Sequence, residues 1–190
     1  MRVGVLALQG DVREHVAALG RLDVEPVEVR LPSELDEIDA LVIPGGESTT
    51  IGKLADRYGL LEPMGRRIAA GMPVLGTCAG MILLASGTTS EREQHQLGVL
   101  DVIVARNAFG PQVASFEAPV DVKGFDEPVW GVFIRAPWVA EVGEGVEVLA
   151  EVEGRPVMVR QRNVVATAFH PELGGDDRVH TLIVDMARES

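Results

Sequence analysis

A chain of 190 residues is the size of one domain and buries about 70% of its unfolded surface on folding, so it needs neither a disulfide nor a metal to hold it. Hydrophobic residues at 46% and charged residues at 24% are an ordinary balance, and an aromatic content of 4% makes the core mostly aliphatic. One Cys excludes an internal disulfide framework, four scattered His speak against a structural zinc site, and a formal charge of −12 argues against a nucleic-acid surface.

The same charge is compatible with a basic protein partner, or simply with solubility. Met1-Arg2-Val3-Gly4-Val5 enters a strand pattern with no apolar leader, and no apolar run approaches a membrane-spanning length. The expectation is a cytoplasmic protein with no membrane partner, no metal and no cofactor.

In chain order, Val3 to Leu8 is a continuous apolar run of the kind buried on both faces of a parallel sheet, ended by Gln9-Gly10. Asp11 and Glu14 resemble a capping box, after which Val12, Val16 and Leu19 fall at helical spacing. Val24–Val29 is a second strand, Pro32–Ile38 a single helical turn, and Ala40–Ile43 a third, buried strand. That strand runs into Pro44-Gly45-Gly46-Glu47-Ser48-Thr49-Thr50, and the spacing of Ile51, Leu54, Ala55 and Tyr58 predicts a helix capped by Ser48 or a following Thr. Leu61–Ala70 predicts another helix. Repeated strand and helix up to residue 86 favours a parallel, doubly wound sheet.

Pro73-Val74-Leu75-Gly76-Thr77-Cys78-Ala79-Gly80-Met81 carries the lone cysteine. An apolar lead-in, a glycine-bracketed Cys and a helix-forming run read as strand, sharp turn, helix. Such an elbow exposes a nucleophile at a helix N-terminus, where unpaired N–H groups and the helix dipole favour a thiolate. The alternative is that Cys78 is a small buried hydrophobe.

Beyond Thr88, a polar loop runs to His95. Val99–Ala105, Phe116–Val122, Val129–Ile134, Val146–Val152, Pro156–Arg160 and Val164–Phe169 then read as strands, with Glu153-Gly154-Arg155 as a hairpin turn. The fold expected is α/β, with a mostly parallel central sheet flanked by helices and a mixed or antiparallel extension in the second half. Arg178–Arg188 is a closing helix with Val179, Leu182, Ile183 and Met186 on one face. With no linker or repeat in sight, residues 1–190 are expected to form a single domain.

A cysteine nucleophile needs a base. His15 and His180 lie on predicted helices, where a half-buried or surface imidazole is the common case, and His95 lies in a polar loop. His170 instead ends the apolar run Val164–Phe169, at the strand end that faces a ligand crevice. Glu172 follows two residues on, and in extended geometry residues i and i+2 project to the same side, so its carboxylate reaches the imidazole. For the oxyanion, the N–H of Ala79 is one donor and Gly46, in the glycine loop after the third strand, the other. Each feature also has a structural explanation when taken alone: an ordinary turn for Pro44-Gly45-Gly46, and a strand-closing surface residue for Arg106 or Arg135.

Taken together, G-T-C-A-G around Cys78, F-H-P-E around His170 and P-G-G-E-S after an early strand resemble the class I glutamine amidotransferases. Leu6-Ala7-Leu8-Gln9-Gly10, Arg13-Glu14-His15, Arg106-Asn107-Ala108-Phe109-Gly110 and Phe133-Ile134-Arg135-Ala136-Pro137 narrow the resemblance to the glutaminase subunits of pyridoxal 5′-phosphate synthase, the PdxT/SNO family. It spans almost the whole chain. The resemblance implies a three-layer amidotransferase-like fold and hydrolysis of L-glutamine by a Cys78–His170–Glu172 triad. It implies that Gly46, Glu47, Ser48, Arg106, Ile134 and Arg135 bind glutamine, and that Leu8, Gln9 and Gly10 belong to the surface for docking and ammonia transfer. The partner implied is a barrel-shaped synthase subunit that uses the ammonia to make pyridoxal 5′-phosphate.

Two positions depart from the pattern: Asp11, where a small residue is expected, and Pro111, where a basic one is common. Three rivals stay open on sequence alone. They are an amidotransferase subunit serving another acceptor, a non-catalytic binding subunit of the same fold, and a cysteine peptidase of related fold.

Overall fold

The computed structural model describes residues 1–90, 94–106 and 115–189. Asn107, Ala108, Phe109, Gly110 and Pro111 lie outside the described residues, as do residues 91–93 of the polar loop. The elements in order are β1 (Arg2–Leu6), α1 (Val12–Gly20), β2 (Glu25–Val29), a 3-10 turn (Pro32–Glu37), β3 (Ala40–Ile43), α2 (Ser48–Arg57), α3 (Leu61–Ala69), β4 (Val74–Thr77), α4 (Ala79–Leu84) and β5 (Ala85–Thr88). They continue with β6 (Leu100–Ala105), β7 (Ser115–Val120), β8 (Val129–Ile134), β9 (Trp138–Val142), β10 (Glu147–Val152), β11 (Arg155–Gln161), β12 (Val164–Thr167), a 3-10 turn (Pro171–Leu173) and α5 (Arg178–Arg188).

The central sheet has the order β10-β11-β12-β4-β3-β1-β2, parallel from β12 to β2, with β11 and β10 added antiparallel. Every residue of β3, β4 and β12 is buried, which explains why these segments read as unbroken apolar runs rather than alternating ones. Outside the central sheet lie β5-β6-β9 and the antiparallel pair β7-β8. The α/β fold with its antiparallel extension is therefore as expected, and Glu153 and Gly154, both at positive φ, make the two-residue turn between β10 and β11. Among the described residues no helix is long and apolar enough to cross a membrane.

Four local expectations are corrected. The apolar run after Cys78 stops being helical at Leu84, and Ala85–Thr88 pairs in parallel with β6, because Ser-Gly-Thr suits an extended ladder better than a helix. Strand β9 was not anticipated. Helix α2 is capped by Glu47 rather than by Ser48 or a Thr: its carboxylate accepts from the N–H groups of Thr49 (3.1 Å) and Thr50 (2.7 Å) and from the Thr50 hydroxyl (2.7 Å). Asp11 stands at the N-cap of α1 but makes no capping hydrogen bond with its side chain.

The apolar stripe of α1 also differs from expectation, with His15 at its centre. His15 is fully buried beside Ala18 and Leu19, whereas Val12 and Val16 are half-buried. On α5, likewise, His180 sits in the core with Val179 and Ile183, and Leu182 is half-buried. The two rings meet with centroids 5.2 Å apart, so α1 and α5 pack against each other through two imidazoles.

Candidate active site

The pairing of β12, β4 and β3 puts three carboxyl ends side by side. Thr167 is in register with Thr77, and Ile43 with Gly76, so the loops after these strands open onto one crevice.

Cys78 leaves β4 with φ 49° and ψ −98°, a conformation sparsely populated for a side-chain-bearing residue, and its N–H is tied to the Thr167 carbonyl at 2.7 Å. The bracketing glycines supply space. A Cβ on Gly76 would meet the Gly80 carbonyl at 2.7 Å, and one on Gly80 would overlap the Ile43 carbonyl oxygen of β3. The sequence G-x-C-x-G is thus what lets α4 start directly against the sheet. The Cys78 Sγ lies 3.9 Å from the Ile134 carbonyl oxygen and shares one cavity with His170, whose pKa it helps to raise.

His170 follows β12, its backbone N–H held by the Val132 carbonyl at 2.8 Å. The chain then turns through the Pro171–Leu173 3-10 turn rather than staying extended. This turn brings Glu172 back, with Oε1 2.8 Å from His170 Nδ1. The expected contact is made, but by a turn that Pro171 starts and not by strand alternation. With Nδ1 on the carboxylate, Nε2 is left for the sulfur.

A second carboxylate joins. Asp11 Oδ2 lies 3.3 Å from the same Nδ1. Burial works against a charged imidazole here, but hydrogen bonds with Asp11, Cys78 and Glu172 outweigh it and raise the His170 pKa well above the usual histidine range. Burial likewise works against a charged Glu172, yet hydrogen bonds from His15 and His170 lower its pKa to about 2. Site electrostatics therefore favour an imidazolium beside a carboxylate. Among the described residues, the donor atoms of Asp11, His170 and Glu172 lie within 4.8 Å of one another, close enough for a metal ion, but their geometry is that of a proton donor between two acceptors.

The Gly45-Gly46 loop lies against this pair. A Cβ on Gly45 would run into the His170 ring, and one on Gly10 into the Gly45 carbonyl oxygen, while Gly46 adopts φ 152°. A cavity of about 470 Å³ joins Gly46, Glu47, Ser48, Cys78, Ala79, Arg106, Ile134, Arg135 and His170, together with Asp11 and Ile82. That volume suits a small-molecule substrate. Of the residues expected on the glutamine side, all six therefore line one cavity.

Several play structural parts as well. The Glu47 carboxylate, committed to capping α2, has its pKa lowered to about 2, burial opposing and the Thr50 and Thr49 hydrogen bonds prevailing. Arg106 donates to Gln94 Oε1 at 3.1 Å and lies 3.7 Å from Glu47 Oε1. Arg135 follows β8 at φ 44°, a second strained residue on the rim. Leu8, Gln9 and Gly10 line a separate groove beside the first strand, and Gln9 Oε1 accepts the Glu47 N–H at 2.8 Å, linking that loop to the cavity edge.

Two residues escaped the sequence reading of the site. Asp11, expected to cap a helix, faces His170 instead. His15, taken as half-buried or surface, contacts Thr77 and Glu172. Its signal was present in the sequence: a histidine between Val12, Val16 and Leu19 on an apolar stripe needs a buried partner.

The model of the SNO glutamine amidotransferase family matches residues 5–189. The chain belongs to that family. This amidotransferase is 62% identical to the protein named pyridoxal 5′-phosphate synthase subunit PdxT of Streptomyces avermitilis, over 98% of this chain and 94% of the relative. A solved structure described as a glutamine amidotransferase superposes with a TM-score of 0.94 at 52% identity, covering 98% of each chain. PurLQS from Thermotoga maritima, at 19% identity and a TM-score of 0.71 over 97% of each chain, shares the fold.

Proposed function

We propose that this amidotransferase is the glutaminase subunit of a pyridoxal 5′-phosphate synthase, hydrolysing L-glutamine to L-glutamate and ammonia and passing the ammonia to a synthase partner. The observation that carries the reading is His170, held by Glu172 at 2.8 Å, lining one cavity with Cys78 on its strained elbow. The relatives' names supply the acceptor.

In this mechanism the Cys78 sulfur bonds to the side-chain amide carbon of glutamine, and the amide oxygen takes the electron pair. The N–H groups of Ala79 and Gly46 receive that oxyanion. His170 gives its Nε2 proton to the departing nitrogen, ammonia leaves, and a thioester remains. A water then attacks the thioester while His170 takes its proton; glutamate departs and Cys78 is restored. Glu172 keeps His170 in the tautomer and orientation both steps need.

Arg106 and Arg135, with the Gly46-Glu47-Ser48 segment and Ile134, hold the glutamine α-carboxylate and α-ammonium. Leu8, Gln9 and Gly10 face the partner, a barrel-shaped subunit, and the whole chain acts as a single glutaminase domain. The test uses glutamine labelled with heavy nitrogen at the side-chain amide, given with the synthase subunit and its sugar-phosphate substrates. Label in pyridoxal 5′-phosphate is the expected result, and label confined to free ammonia would point to a different acceptor.

A further inference from the structure

Behind Glu172 lies a buried chain of polar groups that the triad chemistry does not use. His15 Nε2 is 3.4 Å from Glu172 Oε1 and 3.2 Å from Thr77 Oγ1, and His15 Nδ1 is 2.9 Å from His180 Nε2. Both imidazoles are fully buried. Glu172 therefore receives two rings on one oxygen, His170 from the site and His15 from behind, while its Oε2 is buried without a partner among the described residues.

The direction of the hydrogen bonds follows from the ends of the chain. His180 Nδ1 is buried and unpartnered among the described residues. A bare ring nitrogen tolerates that far better than an N–H, whose lost hydrogen bond would be uncompensated. His180 therefore carries its proton on Nε2 and donates to His15 Nδ1. His15 must then carry its own on Nε2, aimed at Glu172 and Thr77. The opposite assignment would strand an N–H on His180 and turn a lone pair of His15 toward a carboxylate. Burial, and the neighbouring His15, lower the His180 pKa to about 4, in keeping with a single proton on that ring.

We infer that His15, its tautomer set by His180, is a positioning residue that holds Glu172 in place and ionised so that Glu172 can orient His170. The inference rests on the triad reading above. The groups facing this chain are Glu172 and Thr77 around His15, and His15, Glu172, Asp177 and Arg21 around His180. Removing the His15 donor leaves Glu172 with His170 alone and raises its pKa. The catalytic unit then fails at a higher pH on acidification than in the wild type.

The test measures kcat and KM for glutamine against pH in the complex with the synthase subunit. His15→Leu should lower kcat roughly ten- to a hundredfold, leave KM within about twofold, and move the acid limb of the kcat profile upward. His15→Gln, whose amide N–H reaches where Nε2 stood, should recover most of the loss, whereas the shorter His15→Asn should not. If His15→Leu fails to fold, the Gln and Asn variants carry the comparison, since both bury an amide at the same site. Equal kcat and equal acid limbs in those two would overturn the inference, as would a folded His15→Leu enzyme with a wild-type profile. Cys78→Ala in the same assay separates the two readings: if it keeps turnover the triad itself is wrong, and if it alone loses turnover only the role of His15 is wrong.

Discussion

Asp11 Oδ2 sits 3.3 Å from His170 Nδ1, on the nitrogen that also donates to Glu172. A residue placed to cap a helix is thereby an electrostatic neighbour of the candidate base. Its side chain is 36% exposed, so solvent screens the interaction.

For Asp11→Asn, the sign follows from His170. A histidine whose folded pKa is raised contributes stability that is complete below the unfolded pKa and lost as pH rises through the folded one. Removing the Asp11 charge lowers that folded pKa. The alkaline limb of glutaminase activity should move down by about half a pH unit, with activity near neutrality little changed. Proton NMR titration of the His170 ring checks the shift directly, and an unmoved ring titration would rule out the coupling.

Glu172 behaves in the opposite sense. Its pKa is lowered from 4.5 to about 2, so its contribution to stability is present above the unfolded pKa and lost as pH falls from about 4.5 toward 2. Glu172→Gln should lower kcat roughly a hundred- to ten-thousandfold, because His170 loses the partner that fixes its tautomer. Urea unfolding between pH 5 and pH 3 should show the wild type losing stability more steeply than the variant, by on the order of 2 kcal/mol. Parallel curves would contradict the assignment.

Glycine at position 45 is set by the His170 ring. Gly45→Ala should displace that ring and lower kcat by roughly tenfold or more, with the protein still folded. Gly20, with nothing within 4 Å of an added Cβ, is the control: Gly20→Ala should leave kcat unchanged. Steady-state glutaminase rates of the pair decide it.

Glu47 links stability to the cavity. Glu47→Ala removes the cap of α2 and should cost about 1 kcal/mol, a fall in Tm of about 2–4 °C by calorimetry. It should also raise KM for glutamine, because Ser48 begins that helix at the cavity wall.

Much of this arrangement was legible in the chain, for identifiable reasons. Parallel strands buried on both faces leave unbroken apolar runs, so β3, β4 and β12 and the loops they carry could be read directly, and with them Cys78, His170 and the glycine loop. The residues misread were those whose side chains have two possible employers. Asp11 had a helix to cap and a histidine to face; Glu47 had a cavity to line and a helix to cap, and the cap was expected of Ser48 or a Thr instead. Local pattern favours neither, and only the tertiary approach of β12 to the first loop settles Asp11. Strand β9, and the stop of α4 at Leu84 where β5 begins, are not legible in the sequence because both depend on pairing with β6, a contact remote in sequence.

The central claim is that Cys78 is the nucleophile of a glutaminase. The direct measurement is glutamate released from glutamine by the complex with the synthase subunit, comparing the wild type with Cys78→Ala. The account predicts that the variant assembles normally and that its glutamate release falls to background. A variant that assembles and still releases glutamate at the wild-type rate would contradict it.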